Sequence, residues 1–288
     1  MTTVFLIDNG SLRPDSTRNL RKVASELARR TGIRVEPVSL LHSDRVPADE
    51  LDGLPAEVFE PALAARAEGG STDFLLLPFF FGPSRALTEY IPERLGRLSK
   101  RYPGLNVRIG RPLVDLDGEN DTRVAGILKD RVEERLEPGH TPPVVVVDHG
   151  SPVPEVTAVR NFVAGQLSAL LGARVSRVAP ASMERRPGAS YRFNEPLLEN
   201  LLDRPGFNAG RVIVAMMFLS PGRHAGPQGD VAAICREAER RNPDLRAVTT
   251  DLAGEHEAVV EILCDRVRRE IGECRGTEPG TARAAGGS

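Results

Sequence analysis

The chain has 288 residues, more than one compact domain usually contains, so we expect two domains that each bury a core. Lys and Arg total 38 against 40 Asp and Glu, and the net charge of -2 gives no attraction to nucleic acid or to an anionic membrane. The longest apolar runs, residues 74–81 and 212–219, are strand-length, far below the roughly 18 residues that cross a bilayer. A small soluble substrate and a cytoplasmic location are therefore expected.

The first strand-like segment reveals an internal repeat. Residues 3–11, TVFLIDNGS, reappear at residues 144–151 as VVVVDHGS, and two later segments recur in the same order. The later pairs are residues 115–120 with 251–256 and residues 128–132 with 263–267. We predict a first repeat at residues 1–137, a Pro- and Gly-rich linker at 138–143, a second repeat at 144–275 and a disordered tail at 276–288.

Within each repeat, apolar runs alternate with amphipathic stretches, which is typical of βα units. In the first repeat, Leu20, Val23 and Leu27 have helical spacing, and Gly32 follows them. The strands predicted in the second repeat are residues 144–147, 175–179, 212–219 and 245–249, with a helix ending near Gly172. This pattern predicts an α/β fold of two tandem similar domains, each a four-stranded parallel sheet flanked by helices.

Three side chains with metal-binding chemistry follow predicted strands of the second repeat. His149 follows the first strand, Glu184 the second, and His224 a Pro-Gly turn after the third. Ligands of open parallel sheets bind beyond the carboxyl ends of the strands, so these groups are expected at one edge. Two imidazoles and a carboxylate can hold a divalent transition metal and leave positions open for a substrate, although three unrelated loop residues are an equally valid interpretation.

The order of these motifs resembles the class II chelatases, the sirohydrochlorin chelatases of sirohaem and cobalamin synthesis. The matching segments are His149-Gly150-Ser151, Ser182-Met183-Glu184, and Ser220-Pro221-Gly222-Arg223-His224 followed by Asp230. The resemblance covers both repeats and implies a chelatase-like fold with the tetrapyrrole in a cleft between the domains. It implies a lyase that inserts a divalent metal into sirohydrochlorin.

The resemblance assigns the catalytic and metal-binding roles to His149, Glu184 and His224. It makes Arg85, Arg185, Arg186 and Arg223 candidates for the carboxylates of the substrate. The metal, cobalt or iron, is a substrate, and no organic cofactor is expected. His and carboxylate ligands do not distinguish cobalt, iron and nickel. The oligomeric state is left open.

The two repeats differ at each of these positions. Alignment places Asn9 opposite His149, Leu41 opposite Glu184 and Ser84 opposite His224, while His42 is interpreted as a loop residue. The first repeat therefore lacks the expected ligands and is predicted to act as a lid, a wall or a dimerisation surface.

Three alternatives remain open from the sequence. The same residues could serve a non-catalytic metal or tetrapyrrole carrier. A hydrolase could use Ser151 or Ser220 with His149, although neither serine lies in a G-x-S-x-G turn. A helix N-terminus behind Gly150 could bind phosphate, although a glycine-rich nucleotide loop is missing. Cys235, Cys264 and Cys274 form no CxxC and are expected to be buried free thiols.

Overall fold

A computed structural model describes residues 2–116 and 120–272. The predicted tail at 276–288 and Cys274 lie outside these described residues. Cys235 and Cys264 are free and buried, as expected, and burial raises the pKa of Cys235 to about 12. No helix in the described ranges is both long enough and apolar enough to span a membrane.

Strands and helices alternate through both repeats. The strands are β1 (Thr3–Asp8), β2 (Val35–Ser39), β3 (Asp73–Pro78), β4 (Asn106–Ile109), β5 (Val144–Asp148), β6 (Val178–Ser182), β7 (Gly210–Met216) and β8 (Leu245–Thr249). The helices are α1 (Pro14–Thr31), α2 (Phe59–Glu68), α3 (Ile91–Arg101), α4 (Arg123–Glu133), α5 (Pro154–Leu171), α6 (Leu198–Leu201), α7 (Asp230–Arg241) and α8 (Ala258–Gly272).

The strands form two four-stranded sheets with the orders β2-β1-β3-β4 and β6-β5-β7-β8, and every pairing is parallel. The predicted fold class is confirmed. Pro37 and Pro180 occur inside β2 and β6, which are edge strands, and an edge strand tolerates the loss of a backbone donor. Gly32 ends α1 in the left-handed conformation at φ 68°, and Gly172 follows the last residue of α5.

Strand positions in the second repeat differ from those predicted. The second strand covers Val178–Ser182 rather than residues 175–179, because a short 3-10 turn at Gly172–Arg174 intervenes after the helix. The third covers Gly210–Met216 and ends before the apolar residues Phe218 and Leu219, which belong to the following loop. Apolar character marked these segments correctly but could not locate their ends.

Three apolar clusters fill the molecule, and one of them is shared by both repeats. The outer faces of the two sheets, including Phe5 and Val145, pack in separate clusters. The inner faces, including Val4 and Val144, belong to one cluster that also contains α1 and α5 residues. The structure thus replaces the expected pair of separate cores with two outer cores and a common inner one.

The last helix of each repeat packs on the sheet of the other repeat. Helix α4 contacts β7 and α5, and α8 contacts β3 and α1. Arg108 of β4 donates to the Glu270 carbonyl of α8 at 2.6 Å, and Arg211 of β7 donates to the Arg135 carbonyl just after α4 at 3.0 Å. This reciprocal exchange makes the inner core continuous. The domain boundaries at residues 137 and 144 stay a prediction from the sequence.

Candidate active site

Two turns at the carboxyl end of the second sheet hold His149 and Glu184 side by side. The Met183 amide donates to the Asp148 carbonyl at 2.8 Å, and the Glu184 amide donates to the His149 carbonyl at 3.2 Å. Between them, Gly150 has a φ of +91°, and a Cβ there would lie 2.0 Å from the Glu184 carbonyl oxygen. Only glycine allows the backbones to approach this closely.

His224 reaches the same place from the loop after β7. Its ring centroid lies 4.6 Å from that of His149, in an edge-to-face arrangement at 67°. Glu184 Oε1 lies 3.4 Å from His149 Nε2. The three residues predicted from the sequence are therefore neighbours in space.

Hydrogen bonds fix the same tautomer on both imidazoles. His149 Nδ1 lies 3.0 Å from the Gly150 carbonyl oxygen, and His224 Nδ1 lies 2.7 Å from Asp230 Oδ2. Because a carbonyl and a carboxylate accept but do not donate, both Nδ1 atoms carry the proton. Each Nε2 therefore presents a lone pair, which can bind a metal or accept a proton.

Asp230 contacts the site but was not among the site residues predicted from the sequence. It is the first residue of α7, so its position at a helix N-terminus was readable from the sequence. Only the fold brings its carboxylate onto His224, where it orients the ring and fixes the proton on Nδ1.

The site is not a closed metal cage. Among residues 2–116 and 120–272, no group of three His, Cys, Asp or Glu side chains already converges as a metal site would. The side chains of His149 and Glu184 are 47% and 60% exposed, so both can rotate toward a ligand. Such an arrangement is suited to an ion that must arrive and leave rather than to a structural metal.

A cleft of about 480 Å³ opens between the two repeats, at the carboxyl ends of both sheets. His149 lines it, with Glu184 and His224 standing beside His149. The walls are mostly apolar and come from both repeats. They include Phe79, Phe80, Phe81, Val153, Val156, Phe218 and Leu219. A flat, largely apolar molecule with polar edges would suit this cleft.

The four predicted arginines occupy strand-end loops but differ in their surroundings. Arg85 lines the cleft from the first repeat and pairs with Glu89, and Arg223 is 76% exposed and 3.6 Å from Asp230. Arg185 donates to Glu195 at 2.7 Å, and Arg186 lies 6.0 Å from the ring centroid of Tyr191.

An aspartate precedes the functional position in each repeat. Burial raises the pKa of Asp8 to about 6, and it also raises the pKa of Asp148. Asp148 accepts a hydrogen bond from Ser182 Oγ at 2.7 Å and lies 3.6 Å from the guanidinium of Arg160. Asp8 has a serine partner, Ser39, and within residues 2–116 and 120–272 no guanidinium is found beside it.

The first repeat retains the turn geometry and lacks the ligands. The Leu41 amide donates to the Asn9 carbonyl at 3.2 Å, and Gly10 has a φ of +82°. Asn9 and Leu41 are thus the true counterparts of His149 and Glu184. Leu41 is followed by His42, at a φ of 70°, on the loop leading into a 3-10 turn.

The loops that follow β3 and β7 begin at equivalent residues. The Phe79 amide donates to the Ile7 carbonyl, just as the Met217 amide donates to the Val147 carbonyl. The helices that follow end at Arg101 and Arg241, so the segment between these points is two residues longer in the second repeat. The pairing of Ser84 with His224 therefore stays a prediction from the sequence.

The hydroxyls considered for a hydrolase are occupied in loop contacts. Ser151 Oγ accepts from the Val153 amide at 3.0 Å, and Ser220 Oγ accepts from Asn19 at 3.0 Å. The Ser151 amide, which a phosphate site would use, donates to Asn194 at 2.9 Å. These contacts hold the loops in place. They disfavour both the hydrolase and the phosphate-binding site considered from the sequence.

Solved structures share this architecture. The chain is similar to SirB from Bacillus subtilis with Fe³⁺, at 18% identity and a TM-score of 0.69, covering 96% of this chain and 98% of that one. It is also similar to the sirohydrochlorin chelatase SirB from Bacillus subtilis subspecies spizizenii in complex with cobalt, at 17% identity and a TM-score of 0.67, with coverage of 96% and 98%.

A third similar structure is CbiX, described as the terminal enzyme for siroheme biosynthesis in denitrifying bacteria. It shares 13% identity at a TM-score of 0.58, with coverage of 93% of this chain and 98% of that one. No curated protein sequence matches this chain. The CbiX family model matches residues 3–135 and, a second time, residues 143–270. The chain therefore belongs to the CbiX family of class II chelatases.

Proposed function

We propose that this protein inserts a divalent metal, cobalt or iron, into sirohydrochlorin. The observation that carries the proposal is the pair of imidazoles at 4.6 Å with Glu184 beside them, next to the cleft between the repeats. Family membership supports it, as do the sirohydrochlorin chelatase structures, which share the fold. The metal is a substrate, and the reaction needs no organic cofactor. The cytoplasmic location predicted from the sequence remains part of the proposal.

In this proposal His149 and His224 act first as ligands and then as bases. Each holds the ion through Nε2, because Nδ1 is occupied by the Gly150 carbonyl or by Asp230. Metal insertion releases two pyrrole protons. As the ion moves to the pyrrole nitrogens, each Nε2 lone pair is freed and accepts one of the protons.

Glu184 and Asp230 stabilise the imidazolium ions that result. Glu184 Oε1 is 3.4 Å from His149 Nε2, and Asp230 Oδ2 is 2.7 Å from His224 Nδ1. Both carboxylates therefore balance the positive charge that proton transfer places on the imidazoles. Glu184 also supplies the third ligand to the incoming ion.

The substrate is held by charge at its edges and by apolar contact on its faces. Sirohydrochlorin has a ring of carboxylates, for which Arg85, Arg185, Arg186 and Arg223 are the candidate partners. Arg85 projects from the first repeat and the others from the second. Phe81 and Phe218 line the cleft in which the macrocycle would lie.

The test is a metal-insertion assay with sirohydrochlorin and Co²⁺, Fe²⁺ or Ni²⁺ in turn, with the product resolved by mass. We expect metallated product to accumulate over many turnovers, faster than without protein, for cobalt or iron. A carrier would instead bind the macrocycle or the metal with one equivalent of product at most, and that result would reject the proposal.

A further inference from the structure

Arg160 is a charged side chain inside the core of the second repeat. It lies on α5 and is 1% exposed. Its guanidinium donates to Ser182 Oγ, to the Asn194 carbonyl at 3.0 Å and to Asn161 Oδ1 at 2.9 Å, and it lies 3.6 Å from Asp148. Burying a guanidinium costs desolvation free energy unless its donors are satisfied. The contacts of Arg160 offset part of that cost.

Two of the partners of Arg160 are the last residues of strands that lead into the site. Asp148 immediately precedes His149, and Ser182 lies two residues before Glu184. Ser182 Oγ also donates to Asp148 at 2.7 Å, so one guanidinium and one hydroxyl join the ends of β5 and β6. Neither Arg160 nor Ser182 contacts the side chain of His149 or Glu184 directly.

Asn194 extends this connection to the far side of the His149 turn. Its carbonyl receives Arg160, while its side chain accepts from the Ser151 amide at 2.9 Å and donates to the Ser151 carbonyl at 2.8 Å. The segment Asp148–His149–Gly150–Ser151 is thus fixed at both ends by groups that contact Arg160. Asn194 is itself fully buried.

The first repeat provides an internal comparison. The helices α1 and α5 begin at Pro14 and Pro154 and have equal lengths, which places Leu20 at the position of Arg160. Leu20 is also 1% exposed. Ser43 there takes the place of Asn194, since its hydroxyl bridges the Ser11 amide at 3.1 Å and carbonyl at 3.3 Å.

A turn of this shape therefore folds without an arginine. The cation occurs only in the repeat that has two imidazoles and a carboxylate at its strand ends. Structural need alone does not account for that difference, because the first repeat satisfies the same backbone groups with Ser43 and fills the same space with Leu20.

We propose that Arg160, acting through Asp148, Ser182 and Asn194, is the positioning residue that holds His149 and Glu184 in register for metal binding and proton transfer. This inference rests on the function proposed above. Arg160 is too deeply buried to contact the macrocycle, so it should affect the turnover rate and metal affinity rather than macrocycle binding.

The test compares Arg160→Lys and Arg160→Leu with Val163→Ala, a variant of the same helix. Val163 is fully buried and takes no part in the network, so its truncation should lower Tm without changing the site. For Arg160→Lys we expect kcat to fall about tenfold or more at unchanged KM for the macrocycle, and the Kd for Co²⁺, followed by absorption, to rise similarly. Arg160→Leu should lose more.

Two further variants test the inference if Arg160→Leu does not fold. Asn194→Ser introduces the residue type that the first repeat has at the equivalent place, and Ser43→Ala is its control in the first repeat. Asn194→Ser should lower kcat and Co²⁺ affinity, whereas Ser43→Ala should alter Tm alone. The inference would be overturned if Arg160→Lys and Asn194→Ser, like Val163→Ala, lowered Tm but left kcat and Co²⁺ affinity unchanged. If wild-type protein binds Co²⁺ without inserting it, the proposed function fails, and the Co²⁺ titrations alone still decide whether Arg160 positions the ligands.

Discussion

His149 and Asn9 occupy equivalent places in two turns of nearly the same geometry. Both are followed by a glycine with positive φ, and both offer a carbonyl to a residue of the neighbouring loop. They differ in what the side chain adds. The imidazole of His149 brings a lone pair within reach of Glu184, whereas an amide opposite Leu41 offers neither a base nor a strong ligand.

This difference predicts a one-sided response to mutation. His149→Ala and His224→Ala should each abolish metal insertion. Glu184→Gln should reduce the rate about 10–100-fold, because the amide is a weaker metal ligand and does not balance the charge of the His149 imidazolium. Asn9→Ala should leave the rate nearly unchanged. Rates and melting curves for all four variants provide the check, since the exposed side chains contribute little to stability. Insertion that survives in the double His149→Ala, His224→Ala protein would refute the assignment.

Asp8 provides a second prediction at this scale, on stability. Burial raises its pKa from 3.8 to about 6, so the folded chain holds this proton more tightly than the unfolded chain does. Stability should therefore fall as the pH rises between these values and then level off, at a total cost of roughly 3 kcal/mol. Asp8→Asn should remove this loss, so that urea denaturation at pH 5 and 7.5 gives a difference smaller by about 1 kcal/mol than in the wild type.

Asp148→Asn is the matched control for Asp8→Asn. Asp148 faces Arg160 at 3.6 Å, and removing its charge would leave a buried guanidinium without a carboxylate. Burial raises the pKa of Asp148 too, so neutralising it also relieves a desolvation cost, but the loss of the partner of Arg160 offsets this gain. We therefore expect Asp148→Asn to stabilise the fold at neutral pH less than Asp8→Asn does, as measured by urea denaturation. Equal effects of the two substitutions would show that the arginine does not distinguish the repeats.

At the scale of the elements, α4 and α8 determine how the two sheets depend on each other. Each helix belongs to one repeat by sequence and contacts the sheet of the other. Leu128 of α4 and Leu263 of α8 are fully buried in the shared inner core. By contrast, Leu63 of α2 is fully buried in the outer core of the first sheet alone.

Truncation of these leucines should therefore act on different sheets. Each Leu→Ala change should cost about 2–5 kcal/mol. Leu128→Ala should lower native-state hydrogen-exchange protection in β7 more than in β3, and Leu263→Ala should do the reverse. Leu63→Ala should affect the first sheet and spare β7. Loss of protection confined to β3 in Leu128→Ala would contradict the helix exchange.

At the scale of the whole molecule, the two repeats share one inner core, so we expect them to fold as a single unit. Residues of both sheets and of α1, α4, α5 and α8 belong to the same apolar cluster. Asn19 of α1 also donates to the Leu219 carbonyl at 2.8 Å, which ties the first repeat to the loop leading toward His224.

Separating the repeats should therefore unfold them. We expect fragments 1–137 and 138–288 to lack a cooperative melting transition when expressed alone, because each would expose the inner face that the other's last helix covers. Mixing the two should restore a transition and metal insertion. Calorimetry on each fragment and on the mixture is the measurement. A cooperative transition in residues 138–288 alone, with Co²⁺ bound as in the intact chain, would show that the second repeat is independent.

The sequence alone determined the duplication and the parallel α/β fold, and it singled out His149, Glu184 and His224 as candidate ligands. These features are local or periodic, so a strand and the residue that follows it are visible without any knowledge of the partner strand. The same holds for the asymmetry at Asn9 and Leu41, because the backbone turns are encoded by matching Asp-X-Gly-Ser segments.

Only the tertiary structure decided the remainder. The approach of His224 to His149, the network around Arg160 and the exchange of α4 and α8 all depend on contacts between segments distant in the chain. Such contacts cannot be read from hydrophobic periodicity, because a helix presents the same apolar face whichever sheet it covers. A buried arginine is satisfied only where several strand ends meet, which the sequence does not show.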